Sequence, residues 1–560
     1  MGKKREYIGC IFLVCIIMLT VQTFDYGWSE MLVRLLVFLM GASICVGISS
    51  CFCGKMKWGI VDVLMLAWWM YVLLCVYLRP SVPCAREIVT YTALYLLYIV
   101  LRLSDTYFPV RGVDVQWILQ CAVVYELSLG LWQVLEGTSR HPLYPVTGSF
   151  FNPGPYTALI AMGMLMAIYE LHLLKKNKIA LGINVFVLVV GSLMIALTRS
   201  RSGMVVVATM VLWHYRLLIR RYWWQVLVVL LMVGVALFAL KYESAMGRIV
   251  LWWQSACIWL AHPFLGAGSA TFMGEYGCQL EVFFSSDSHV KTFAPYADVT
   301  EFAFCDLLQL LAEQGLVGGI LCLSIVLLSL RKLYANERIL FFAFIALIIF
   351  SLFSYPFQLL PYQIYIVVIV ARAARYIGEK EIAVWMNPLL MAVVGVMSYG
   401  CHGIAKERLE ANREYKQLAG LTHESVINDY YRLYPLCCDD KEFLFDFAKL
   451  LQVHQRYLDS NAMLCDGILV SNDPMFWVVM GNNYREMKLY DHAVGCYDTA
   501  FRRMPNRLYP LYQKMLLFQE MGNKNAMLSV AKNITMFQEK ISSPAVEEMK
   551  SKARNLLNQK

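Results

Sequence analysis

The sequence predicts an all-α protein. A polytopic helical membrane domain of about thirteen transmembrane helices spans residues 1–403, and a soluble helical-repeat (TPR-like) domain spans residues 404–560. Three observations predict this. Hydrophobic residues fill 59% of the 560 positions and charged ones only 16%, whereas a soluble domain carries about 25% charged residues. The apolar residues come in blocks of roughly 17–25, the length that crosses ~30 Å of hydrocarbon at 1.5 Å per helical residue. Beyond about residue 404 the blocks stop and charges occur throughout.

Taken in order, the blocks lie near 8–24, 31–53, 59–78, 87–103, 113–135, 153–170, 178–197, 203–219, 222–241, 307–330, 339–355, 359–376 and 383–403. Each is continuous, and a helix satisfies its own backbone hydrogen bonds in hydrocarbon. The first follows Lys3-Lys4-Arg5 as a signal peptide would. Only Thr23-Phe24-Asp25-Tyr26 comes after it, with no small-x-small cleavage site, which predicts a retained span.

Alternate loops are basic. They carry Lys55 and Lys57; Arg102 and Arg111; Lys175, Lys176 and Lys178; Arg216, Arg220 and Arg221; Arg331, Lys332 and Arg338; and Arg372, Arg375 and Lys380. The positive-inside rule makes their side, which includes the N-terminus, cytoplasmic. An odd number of spans then places the C-terminal tail outside. By the same parity the long loop 242–306 faces outward. Loops of that length in compact proteins are functional or disordered, and this one is rich in aromatics and glycine.

In the tail, Trp477, Met480, Gly481, Tyr484, Ala493, Tyr497, Ala500 and Pro505 follow the spacing of a 34-residue helix–turn–helix repeat. The flanking segments, Phe443 to Pro474 and Leu511 to about Met536, fit it less well. Modules of this kind bind a protein partner rather than catalyse.

The net charge of +9 comes from short loops. With no basic tract interleaved with aromatics, nucleic acid is excluded as a partner and membrane lipids are the expected surroundings. Most of the 17 cysteines, Cys10, Cys15, Cys45 and Cys75 among them, sit in apolar runs and act as small hydrophobes. The tail's Cys437, Cys438, Cys465 and Cys496 lack Cys-x-x-Cys spacing, which argues against zinc and leaves a disulfide open. No outer loop carries a His/Glu cluster or an Asp-x-Asp pair, so no metal or cofactor is expected.

Three arginines break the charge rule. Arg199 and Arg201 sit in the outward turn Thr198-Arg199-Ser200-Arg201-Ser202-Gly203, and Arg248 opens the long outer loop. Cations at the membrane boundary are costly and mark substrate paths, although a lone arginine can also snorkel to lipid headgroups. A guanidinium fork matches the oxygens of a diphosphate, so these three are the candidate diphosphate-binding residues.

Four local patterns resemble the O-antigen ligase and polymerase superfamily. They are Gly148-Ser149-Phe150-Phe151-Asn152-Pro153; Ser200-Arg201-Ser202-Gly203; Arg248 with Trp252 or Trp253 and then His262-Pro263-Phe264-Leu265-Gly266-Ala267-Gly268; and Leu307-Leu308-Gln309-Leu310-Leu311-Ala312-Glu313-Gln314-Gly315-Leu316-Val317-Gly318. The likeness covers roughly residues 130–375. It implies a bacterial inner-membrane glycosyltransferase with a periplasmic tail, a feature of some relatives. Such an enzyme moves a glycan from undecaprenyl (polyprenyl) diphosphate to a hydroxyl of lipid A core, as in lipopolysaccharide biosynthesis, or of a protein. The alternative on the same scaffold is a polysaccharide polymerase. Many ligases carry His-Asn before the Leu-Gln segment, where this chain has Phe304-Cys305, so the family's base does not transfer.

A nearby outward carboxylate could take the acceptor's proton. Asp298 and Glu301 are therefore the catalytic candidates, with Asp306, His289 and Lys291 behind them, while His262 is expected to pack before its proline. The rival reading is a transporter or flippase, which would need charged or broken helices at the midplane. Asp62, Asp114 and Glu126 lie in apolar blocks, with no basic residue clearly paired to them in the sequence.

Overall fold

The computed structural model describes residues 2–21, 28–51, 56–78, 84–171, 177–198, 200–214, 220–225, 228, 232, 242–381, 383–539 and 543–558. The first part is α1 (Gly2–Thr20), α2 (Glu30–Ser50), α3 (Ile60–Leu78), α4 (Ala85–Tyr107), α5 (Gly112–Glu136), α6 (Pro153–Leu171), α7 (Lys178–Thr198) and α8 (Arg201–His214). The long loop 242–306, called the outer loop after its expected orientation, folds as α9 (Tyr242–Ala261), α10 (Phe272–Phe283) and α11 (Asp287–Phe293). The chain then returns to the bundle as α12 (Asp306–Asn336), α13 (Arg338–Ser351), α14 (Leu360–Arg375) and α15 (Met386–Leu418).

Eight of these helices, α2 to α7, α12 and α15, are long and apolar enough to cross a membrane. The expected spans at α1, α8, α13 and α14 are helical, though α13 and α14 have only 14 and 16 residues; the described part of α8 is 14 residues. The expected span at 222–241 falls largely outside the described residues.

Arg102 and Asp62 correct one expectation. Arg102 is buried and donates through Nε to Asp62 Oδ1 at 2.8 Å, Tyr98 donates to the same oxygen at 2.7 Å, and Arg102 Nη2 reaches Lys57 O at 2.8 Å. Asp114 is likewise paired, with Arg111. Both acids thus have cations, Arg102 on α4 and Arg111 just before α5, while Glu126 binds the backbone and hydroxyl of Ser149. A buried carboxylate needs such partners, and the Asp62–Arg102 pair ties α3 to α4.

The basic loops gather at one end of the bundle. There Lys57 and Trp58 pair antiparallel with Glu381 and Lys380, and Arg372 binds both Asp105 and Glu337. The outer loop and the tail lie together at the other end. Helix α15 runs through position 404 without a break and carries Ala411 and Tyr415 into the tail's core. Tyr415 donates to Asp446 at 2.8 Å and packs edge-on against Phe443.

The tail is a helical repeat. After α16 (Val426–Cys437) come the pairs α17 (Lys441–Val453) with α18 (Tyr457–Val470), α19 (Met475–Glu486) with α20 (Tyr490–Arg503), and α21 (Tyr509–Glu520) with α22 (Lys524–Met536), then α23 (Pro544–Asn558). The first helices of the pairs begin at Lys441, Met475 and Tyr509, each one 34-residue period after the last. In the middle pair Ala493, Tyr497 and Ala500 are fully buried, and Gly481 makes room for the Tyr497 ring. The flanking segments that fit the motif poorly in sequence thus form the same hairpin.

The tail also docks on the outer loop. A Cβ on Gly274 of α10 would lie 2.4 Å from Leu469 O. Asn472 donates to Thr300 O at 2.6 Å, Asn506 donates to Ala297 O at 2.8 Å, and Lys441 pairs with Glu301.

Candidate active site

Segments far apart in sequence meet at the end that carries the outer loop. The first is the turn before α6. Gln133 Oε1 accepts from Thr147 N at 3.0 Å and Gly148 N at 2.8 Å, and its Nε2 donates to Gly148 O at 2.7 Å. Gly148 has φ +61°, and a Cβ there would lie 2.3 Å from the Glu126 carboxylate, so the turn requires glycine. Next comes Ser200, whose Oγ lies 2.9 Å from Thr157 Oγ1 and accepts from Gly203 N at 3.3 Å, fixing the start of α8 against α6. Arg199 lies outside the described residues, and Arg201 is described as the first backbone residue of α8.

Arg248 is half-buried on α9. Its Nη1 donates to Phe353 O at 2.9 Å, and its guanidinium lies 5.3 Å from the centroid of Phe304. Phe304 stands edge-on to Tyr355 at 5.1 Å, and Phe302 stacks on the same ring at 4.4 Å. Beside Phe353, Ser354 Oγ would lie 3.9 Å from a Cβ placed on Gly154 at the start of α6. Arg248, bound to Phe353, thus lies on the side of the bundle where Thr157 bonds both Gly154 O and Ser200 Oγ. Phe304 itself has φ +50°, a strained conformation for a bulky residue and one that clusters at functional sites.

The glycines of the outer loop and of α12 meet backbone to backbone. Ala267 N donates to Ala312 O at 2.7 Å and Gly268 N to Glu313 O at 2.9 Å, while Leu316 N donates to Pro263 O at 2.9 Å and Val317 N to Phe264 O at 3.1 Å. Gly315 breaks α12 at φ 62°, ψ −164°. A Cβ on Gly315 or on Gly266 would each lie 2.3 Å from a facing backbone atom. The outer loop thus supplies partners for the groups that the broken span frees.

A cavity of about 280 Å³ lies between the membrane helices, the outer loop and the tail. Glu301, Phe302, Gln309, Glu313, Gln363 and Lys441 are among its lining. Glu313 is 7% exposed and accepts from Gln309 Nε2 at 3.3 Å, and Gln309 Oε1 accepts from Ala303 N at 3.1 Å. On the tail side, burial holds the Asp439 carboxyl above its usual range, against the pull of Arg86 and Arg408. Asp439 also accepts from Trp28 Nε1 at 3.0 Å.

Residues 185–323 match the family model described as O-antigen ligase. The matched segment holds Ser200, Arg248, the 263–268 run, Phe304 and the break at Gly315, and it leaves the 148–153 turn outside. No curated protein matches the chain. A solved structure, the "Crystal structure of APC/C hetero-tetramer Cut9-Hcn1", aligns over 87% of this chain and 84% of that one at 13% identity. Its TM-score is 0.20.

Around this cavity the catalytic candidates separate. Glu301 lines the cavity and pairs there with Lys441. Asp298 is exposed and caps its neighbour, accepting from Val299 N at 3.0 Å. Asp306 is committed to Phe357 N at 3.0 Å and Gln358 Nε2 at 3.4 Å. His289 stacks on Phe283 at 4.3 Å and bonds Phe283 O, and Lys291 is exposed. Sequence reasoning passed over Gln309, Glu313 and Gln363 as site residues. The signal was present, since Gln309 and Glu313 stand i, i+4 on one face of an apolar block that had no other reason to hold them.

Proposed function

We propose that the protein is an O-antigen ligase-like glycosyltransferase. It moves a glycan from a polyprenyl diphosphate to a hydroxyl of lipid A core or of a protein, at the periplasmic face of a bacterial inner membrane. The observation that carries this reading is Arg248, held by Phe353 and Phe304 where the family's patterns converge, beside a cavity walled by loop and tail.

Arg248, with Arg199 and Arg201 at the α7–α8 turn, grips the diphosphate and stabilises the charge that builds on the leaving oxygen. The acceptor hydroxyl is held for attack on the anomeric carbon from the opposite side. The new glycosidic C–O bond forms as the bond to the diphosphate breaks, and the hydroxyl proton passes to a carboxylate. Of Asp298 and Glu301, the cavity position favours Glu301. Diphosphate is already a good leaving group, so the step needs no metal in principle.

The test is transfer by purified protein from a lipid-linked donor to lipid A core, to protein, or to a second lipid-linked repeat. The acceptor that is used separates ligase from polymerase. Wild-type rates in Arg248→Ala would remove the diphosphate site.

A further inference from the structure

We propose that the cavity between the bundle, the outer loop and the tail is a saccharide subsite, selective for uncharged or amine-bearing sugars over acidic ones. This deepens the reading above and rests on it for the subsite's role in transfer. The binding claim itself stands on the cavity.

Its lining pairs aromatic faces, Trp28, Tyr91 and Phe302, with amide and carboxylate groups, Gln309, Glu313 and Gln363. A sugar ring presents apolar C–H faces and a rim of hydroxyls that both donate and accept, and so fits such a mixture. The polar groups are under-used. Gln363 Oε1 is a buried acceptor with no partner, while its Nε2 donates to Phe357 O at 2.9 Å. Among the described residues, the side-chain hydrogen bond of the buried Glu313 carboxylate is the long one from Gln309. Gln363 Oε1, shut off from water and unpaired, costs stability as it stands, and a turn of its side chain toward the cavity offers it, beside the Glu313 carboxylate, to the hydroxyl donors of a bound sugar.

Charge sets the class of sugar. Carboxylates outnumber cations in the lining, and two of the cations, Arg86 and Lys441, are already paired with Glu87 and Glu301. A uronic acid or a phosphate meets repulsion here. The diphosphate therefore belongs on the far side of the Phe302–Tyr355–Phe304 stack, where Arg248 lies. The tail supplies one wall, so the repeat domain takes part in choosing the glycan.

The experiment measures binding of tagged neutral, amino and uronic-acid oligosaccharides to the full-length protein in nanodiscs. Neutral or amino members are expected to bind. Binding should weaken at least tenfold in Glu313→Gln and in Gln363→Ala, both checked for an unchanged melting temperature. Absence of binding by every neutral and amino member, preference for uronic acids, or equal affinity in both variants overturns the proposal. Loading with a lipid-linked donor then distinguishes sources: displacement of the bound sugar marks the subsite as the donor glycan's, and retention marks it as the acceptor's. If transfer is intact and depends on Arg248 while these binding results fail, only the subsite falls. If transfer itself is absent, the functional reading fails independently of sugar binding.

Discussion

Lys441, the first residue of the first full repeat pair, is ion-paired with Glu301 at the end of the outer loop. Their side chains are 29% and 38% exposed, so the pair is worth at most about 1 kcal/mol. Docking of the tail rests more on buried contacts such as Gly274 against Leu469 and Asn472 on Thr300. Lys441→Glu should therefore lower thermal stability only slightly, and Lys441→Glu with Glu301→Lys should recover it. A coupling energy above about 2 kcal/mol in that double-mutant cycle would show the pair to be far better shielded than its exposure implies.

Arg248→Ala should cut transfer by about 10²–10³-fold, the usual cost of losing one charge-stabilising donor. Arg248→Lys should recover little, because an ammonium neither spreads over the Phe304 ring nor grips two oxygens at once. Single-turnover transfer at matched protein levels is the measurement, and a lysine variant close to wild type would argue against a bidentate grip.

Gly315→Ala and Gly266→Ala should each destabilise the membrane domain by about 2–4 kcal/mol, since the added carbon meets backbone that cannot move aside. Gly182→Ala, where nothing stands within 4 Å of the added carbon, serves as the control. Melting of the detergent-purified variants separates the two classes. Equal melting points would mean that the splice between the outer loop and α12 is looser than its four backbone hydrogen bonds suggest.

Much of this fold was legible in sequence because span length and helical-repeat spacing are local properties. The apolar blocks gave the helix positions, and Trp477 to Pro505 gave one repeat hairpin. The neighbouring hairpins were harder to read because their small-residue positions are filled differently, for example by Ser460, which donates to Ala448 O at 2.7 Å. Pairings such as Asp62 with Arg102 and Phe304 with Arg248 join residues on separate elements, which periodicity cannot see. The cavity was hidden for the same reason, since it is walled by three parts of the chain. Its residues Gln309 and Glu313 did stand out within their own span.

Asp439 is expected to make tail docking pH-dependent. Its carboxyl is raised in the folded state by burial, so it binds a proton more readily there than in the unfolded chain. The stability this contributes is full below the unfolded value of about 3.9 and is lost as pH rises through the raised folded value. Asp439→Asn should flatten that fall, and melting temperatures across mildly acidic to neutral pH measure it. A wild-type curve that climbs with pH while the variant stays flat would reverse the assignment and make the carboxylate's ion pairing with Arg408 dominant.

The outward reading of the tail is open to a direct test. Glu30, at the start of α2, pairs with Arg413 beside the tail, while the far end of α2 lies about 30 Å away at 1.5 Å per residue. Lys178 opens α7 at the basic end of the bundle, and Lys532 is exposed in the last repeat. In a cysteine-free background that still transfers, a membrane-impermeant maleimide applied to intact spheroplasts should label Lys532→Cys and spare Lys178→Cys until the membrane is opened. The reverse pattern would put Arg248 and the cavity in the cytoplasm, where a periplasmic acceptor never reaches them, and the proposed transfer would have to be abandoned even if the purified protein bound sugars.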